Sequence, residues 1–330
     1  MIIFLGCAAL LVYGASILLS VANEKDAVGI YGFLKEPEDS LDVVMIGPST
    51  IYTAFYSPLA FEEQGITSYS LSTSTMPASL YRYAAELAVE TQHPQLLVFE
   101  TSSFGYDDQF DETSMRKFLD ALPASELKER AIQDLVPQAL RSSFQYPFQK
   151  YHASWDRLGE LIQVLRDKLD INHQGYSYTK NFATTPHCQE YKRQSGDYVV
   201  TEYGLEQLRI LLDYLKEAGV EHALFIRTLE MGGYDATDQY HQMIEMIRDA
   251  GYDFLNTNAA AEDMGEYGEH FSKVQKHFLE CMVLARNNEK GVKGIVVNAF
   301  SEPFVLTVDL FDATARISSR FANAEVESDE

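Results

Sequence analysis

The sequence is short of basic residues. Of 330 residues, 26 are Lys or Arg against 49 Asp or Glu, and the formal net charge is −23. A surface of that sign repels phosphate backbones and argues against a nucleic-acid partner. It also argues against tight electrostatic docking on an anionic membrane. Cysteine is scarce: Cys7, Cys188 and Cys281 are far apart and form no C-x-x-C pair. That speaks against a structural zinc site and leaves a Cys188–Cys281 disulfide open. No Gly-rich loop follows the first apolar run, so nothing there cradles a nucleotide phosphate. Residues 1–23 contain no charge at all.

Hydrophobic residues make up 46% of the chain, enough for a sizeable core. The uncharged start is mostly Ile, Leu, Val and Ala over Ile2–Val21. Twenty residues in a helix span about 30 Å, the thickness of a bilayer core. The segment reads as a transmembrane anchor or a signal segment. No Lys or Arg precedes it, so the positive-inside rule does not orient it. Residues 24–40, with Gly29, Gly32 and Pro37, read as a tether. A domain is expected over 41–320, followed by an acidic tail at 321–330.

The domain opens with LDVVMIGPST at Leu41–Thr50. Val43–Ile46 reads as a buried strand and Gly47-Pro48-Ser49 as a sharp turn. Thr67–Leu71 and Gln95–Phe99 are further strands, with a helix over Ala78–Val89 between them. This β-α-β-α-β order implies a parallel sheet with helices on its faces. Residues 101–198 break the rhythm and read as a mostly helical insertion. Its aromatics around Phe144–Trp155 are either a sugar-stacking surface or core, and burial statistics favour core. Helices then follow at Gly204–Ala218, Asp238–Ala250 and His270–Arg286. Strands are expected at Ala223–Ile226 and Asp253–Leu255, with two extra strands at Gly294–Val297 and Phe304–Leu310.

A Ser at the carboxyl end of a central strand stands where open α/β sheets place their ligands, which makes Ser49 a candidate nucleophile. As a turn residue it equally serves to cap the next helix.

Several stretches together resemble the SGNH/GDSL-type hydrolase superfamily, in its membrane-anchored cell-envelope branch from Gram-positive bacteria. They are YGFLKEPEDSLDVVMIGPST at Tyr31–Thr50, SPLAFEEQGITSYSL at Ser57–Leu71 and HPQLLVFETS at His93–Ser102. KYHASWDRL at Lys150–Leu158 and QGYSYTKN at Gln174–Asn181 add to them. The resemblance implies a three-layer, flavodoxin-like α/β sheet of about five strands, with the helical insertion and extra C-terminal strands. It implies a serine esterase or O-acyltransferase that needs no metal or cofactor. The implied partner is an acylated envelope polysaccharide or similar ester. The implied location is the cell membrane with an extracytoplasmic domain, or the outside if the leader is cleaved.

Carried over by position, Ser49 is the nucleophile, because a hydroxyl attacks well only when a base takes its proton. His270 stands where the family's general base lies. Tyr267 occupies the place of the orienting acid, and Glu266 or Glu269 would substitute. The N–H groups of Ser49 and Ser72 would bind the oxyanion, each such donor being worth about 3 kcal/mol. Where the family has Gly after the second strand, Ser70-Leu71-Ser72 stands here. Where it has Asn after the third, Glu100-Thr101-Ser102 stands. A second Asp-x-x-His, Asp238 to His241, opens a helix and reads as a surface pair. The altered blocks leave a competing expectation: a catalytically degenerate envelope protein that binds a glycan or a protein partner.

Overall fold

The computed structural model describes residues 2–23, 28–54, 57, 60–61, 65–151, 197–228, 235–256, 280–282, 287–288, 291–292, 294–299 and 302–307. Its centre is a five-stranded, all-parallel sheet: β1 (Val43–Gly47), β2 (Ser68–Ser72), β3 (Leu96–Glu100), β4 (Ala223–Arg227) and β5 (Asp253–Asn256). The order across the sheet is β2-β1-β3-β4-β5, the flavodoxin-like arrangement. The register sets Gly47 opposite Ser72, Ile46 opposite Phe99, Glu100 opposite Ile226 and Arg227 opposite Asn256. Every residue of β1, β2, β3 and β4 is buried. That is why β1, β3 and β4 run apolar without alternation up to Ile46, Phe99 and Ile226, as in parallel sheets covered on both faces, whereas β2 alternates Ser68, Ser70 and Ser72 with Tyr69 and Leu71.

The helices are α1 (Ile2–Asn23), α2 (Val28–Phe33), α3 (Ser49–Ala54), α4 (Tyr81–Gln92), α5 (Glu112–Leu119), α6 (Glu126–Leu135), α7 (Arg141–Gln145), α8 (Phe148–Tyr151), α9 (Glu202–Glu217) and α10 (Asp238–Asp249). α9 forms because Leu205, Leu208, Leu211, Leu212 and Leu215 recur at helical spacing and are all buried. Thr201 caps its start by accepting from the Gly204 N–H. Gly219, at φ +68°, ends it in the left-handed region. α4, α9 and α10 share one core with Val44, Ile46, Leu97, Phe99 and Phe225 on one sheet face. Phe99 and Phe225 stack at 5.1 Å there. Burying each such side chain contributes roughly 1.5–3 kcal/mol. The other face carries Val43, Met45, Val98, Leu224 and Ile226, also buried. α3 packs there, against β1 and β2.

Three expectations change. Residues 24–40 are not all tether. α2 docks its buried Ile30 and Phe33 in the core, and the Tyr69 hydroxyl donates to the Gly29 carbonyl at 2.7 Å. The two glycines that read as linker composition let this short helix approach β2 closely. The helix expected over His270–Arg286 does not hold at its end, since Glu280–Met282 is a strand paired antiparallel to Gly294–Ala299. A short apolar run fits either period, and pairing with β-branched Ile295, Val296 and Val297 decides it. The second C-terminal strand is Glu302–Thr307, also antiparallel to Gly294–Ala299.

The insertion leaves and re-enters the domain side by side, for the Thr201 hydroxyl donates to the Tyr106 carbonyl at 2.7 Å. Its described part is helical, α5 to α8. Arg116, 1% exposed, holds it together. Its guanidinium pairs with Glu112 at 2.8 Å and Asp120 at 3.2 Å and lies 3.9 Å over the Phe144 ring. Phe144 is therefore core, while Trp155 lies outside the described residues.

α1 runs for 22 residues and lies alongside α8. Its described side chains are those of residues 3–14, and Ile3, Phe4, Leu10 and Leu11 are exposed. Among the described residues, no helix is long and apolar enough to cross a membrane.

Candidate functional site

The carboxyl ends of the strands gather the candidate residues. β1 ends at Gly47. Pro48 follows, and Ser49 opens α3 half-buried. The turn is closed by the Ile51 N–H donating to the Pro48 carbonyl at 3.0 Å. Gly47 is required here, because a Cβ on it would meet Ile51 Cγ1 at 2.7 Å and Glu100 Cβ at 2.8 Å. β1 and β3 are neighbours whose onward connections run to opposite sides of the sheet. Ser49 therefore sits at the topological switch point, where such sheets open a crevice.

Ser72 ends β2 directly opposite Gly47, so the second candidate oxyanion donor leaves the sheet beside the turn that carries Ser49. Its hydroxyl is buried and donates to the Ser70 carbonyl at 3.4 Å. Thr73 follows, fully buried, with no hydrogen-bond partner for its hydroxyl.

Glu100 ends β3 with no exposure. One carboxylate oxygen accepts from the Ser102 N–H at 3.0 Å and from the Ser102 hydroxyl. The other accepts from the Thr228 hydroxyl at 3.3 Å and N–H at 3.5 Å. The carboxylate thus clasps the exits of β3 and β4. With its oxygens accepting from four donors, the carboxyl group is spent on the strand exits and gives an oxyanion no hydrogen.

Beyond it lies a group that the sequence reading missed. Arg227 ends β4 at 2% exposure, its guanidinium 5.8 Å from the centre of the Tyr240 ring. The Asn256 amide at the end of β5 donates to the Tyr240 hydroxyl at 3.2 Å. Burial raises the Tyr240 phenol above its ordinary value, and the Arg227 cation opposes the rise. The available signal was a charged residue closing the apolar run Ala223–Ile226, since a buried Arg on a strand demands partners.

Of the expected site residues, the sheet brings Ser49 and Ser72 to one place. His270, Glu266 and Glu269 lie outside the described residues. The Asp238–His241 pair lies exposed on α10, next to β5, with β3 and β4 between it and β1. Thr237 caps that helix, so Asp238 is a first-turn acid at its positive end. Among the described residues, no three His, Cys, Asp or Glu side chains cluster to hold a metal. No family model, no curated protein and no solved structure matches the chain.

Proposed function

We propose that the chain is a serine esterase or O-acyltransferase of the SGNH/GDSL type, acting on acyl esters of cell-envelope glycans through Ser49 and His270. The observation that carries the reading is the position of Ser49. It stands two residues past the end of β1, at the switch point, beside the exit of β2. His270 takes the Ser49 proton as the hydroxyl oxygen attacks the ester carbonyl, and Glu266 or Glu269 orients the imidazole. The N–H groups of Ser49 and Ser72 hold the oxyanion. Collapse of that intermediate expels the sugar hydroxyl, which takes the proton from His270. The acyl-serine then passes its acyl group to water or to an acceptor hydroxyl. The N-terminal segment holds the domain to the membrane.

Hydrolysis of aryl acetates and acetylated glycans by the full chain tests this. Ester cleavage that falls by at least about a thousandfold in Ser49→Ala supports it, in line with loss of a catalytic nucleophile. Cleavage unchanged in Ser49→Ala contradicts it.

Glu100 favours a second reading. A fixed acceptor where a neutral donor is expected suits a cleft that binds a hydroxyl-rich ligand without acyl transfer. Tight glycan binding by a chain without esterase activity supports that reading.

A further inference from the structure

We propose that Lys117 is a positioning residue for the Ser49 site, a role that rests on the hydrolase reading. Reaching out of the helical insertion, its ammonium group fixes the Ser74–Thr75 turn at the exit of β2. Through that turn it steadies the Ser72 N–H that holds the oxyanion.

β2 is an edge strand, paired on one side only, to β1. The pairing ends at Ser72, opposite Gly47. The residues that follow leave the sheet with no ladder to direct them. Thr75 then takes φ +54°, in the left-handed region. A β-branched residue adopts that conformation only where its surroundings outweigh the strain.

Here α5 supplies those surroundings. Ser114 and Lys117 are three residues apart on that helix and so share a face. The Thr75 and Ser114 hydroxyls are hydrogen-bonded at 2.6 Å. The Lys117 ammonium donates to the Ser74 hydroxyl at 2.6 Å, the Ser74 carbonyl at 3.2 Å and the Thr75 hydroxyl at 3.3 Å. An ammonium has three hydrogens, and this one finds an oxygen of the turn for each. Charged donors make the stronger bonds, so Lys117 is the main hold. Behind it the Ser114 hydroxyl donates to Asp111, the N-cap of α5, at 2.6 Å, and that bond lowers the Asp111 carboxyl below its ordinary value. On the far side of the turn the Ser103 hydroxyl donates to the carbonyl of fully buried Met76 at 2.6 Å. The turn is therefore pinned between the insertion and the exit of β3. α5 is a firm base for this, because Arg116, beside Lys117, ties it to Asp120 and Phe144.

The test compares Lys117→Met and Lys117→Arg with the unaltered full chain, each shown to be folded by a cooperative thermal transition. Amide exchange over residues 73–76 reads the turn without any chemistry. Faster exchange there in Lys117→Met, restored in Lys117→Arg and unmatched in β1 or β3, supports the proposal. Unchanged exchange overturns it. The rate at which a water-soluble fluorophosphonate labels Ser49, followed against pH, reads the site. Lys117→Met should lower the plateau by about tenfold, as for a donor moved out of place, and leave the midpoint where it was. Lys117→Arg should recover most of the loss. A plateau that does not fall overturns the proposal. So does a shifted midpoint, which means that Lys117 acts on the base through its charge. Should Lys117→Met not fold, Ser74→Ala, which removes the shortest Lys117 bond from the other side, is read in the same two ways. If the probe never labels Ser49 even in the unaltered chain, the hydrolase reading fails, while exchange over residues 73–76 still decides whether Lys117 fixes the turn.

Discussion

Gly47 and Glu100 meet across β1 and β3, so closely that a Cβ on Gly47 would lie 2.8 Å from the Glu100 Cβ. The contact joins the turn that presents Ser49 to the carboxylate that clasps β3 and β4. Gly47→Ala must push Glu100 or Ile51 aside. A cost of about 1–3 kcal/mol is expected, as for overpacking in a closed core. Urea unfolding measures it, and an unchanged midpoint contradicts the contact.

Glu100→Gln keeps the shape but turns one acceptor oxygen into a donor. The new NH2 must face the donors of Ser102 or those of Thr228. Stability falls by about 1–3 kcal/mol, the usual cost of leaving buried polar groups mismatched. Under the hydrolase reading, the reactivity of folded protein towards fluorophosphonate does not fall, because the carboxylate gives the oxyanion nothing. A large loss of reactivity at full folding assigns Glu100 a direct part in the chemistry.

α2 depends on Gly32. A Cβ there would lie 2.1 Å from the Tyr69 hydroxyl oxygen, which donates to Gly29 at 2.7 Å. Gly32→Ala breaks that bond and loosens the helix. Faster amide exchange over residues 28–34 is expected, with a smaller effect in the Tyr69→Phe background. Equal effects in both backgrounds mean that the Tyr69 hydroxyl is not what Gly32 accommodates.

Alkaline stability should report on Tyr214. Burial, helped by Glu86 and Glu90, pushes its phenol up to about 12 from an ordinary 10.0. Between those values the unfolded chain loses the proton while the folded chain keeps it, so stability falls as pH rises. Tyr214→Phe should remove part of that fall. Thermal midpoints at pH 9 and 11 compare the two proteins. Identical slopes contradict the assignment.

Most of the sheet was legible because β1, β3 and β4 are short apolar runs separated by clear stops. Val43–Ile46 meets Gly47-Pro48, and the Leu-rich helix after Thr201 meets Gly219. The helices of the second half were legible from the spacing of Leu205 to Leu215 and from their caps. α2 was not, because six residues with two glycines carry no periodic signal. Their burial depends on a tyrosine hydroxyl 40 positions away. The strand at Glu280–Met282 was hidden for a related reason, since its partner lies later in the chain. At the site, position in the fold made Ser49 and Ser72 visible. The Glu100 clasp was not visible, because its partner Thr228 is 128 residues distant and nothing local links them. Arg227 and Tyr240 were missed in the same way.

The most direct test of the account is covalent labelling of the folded full chain with a water-soluble fluorophosphonate, followed by intact mass and peptide mapping. The account predicts one adduct per chain, on Ser49, absent in Ser49→Ala and strongly slowed in His270→Ala. Well-folded protein that takes up no adduct, or takes it up elsewhere, contradicts Ser49 as an activated nucleophile.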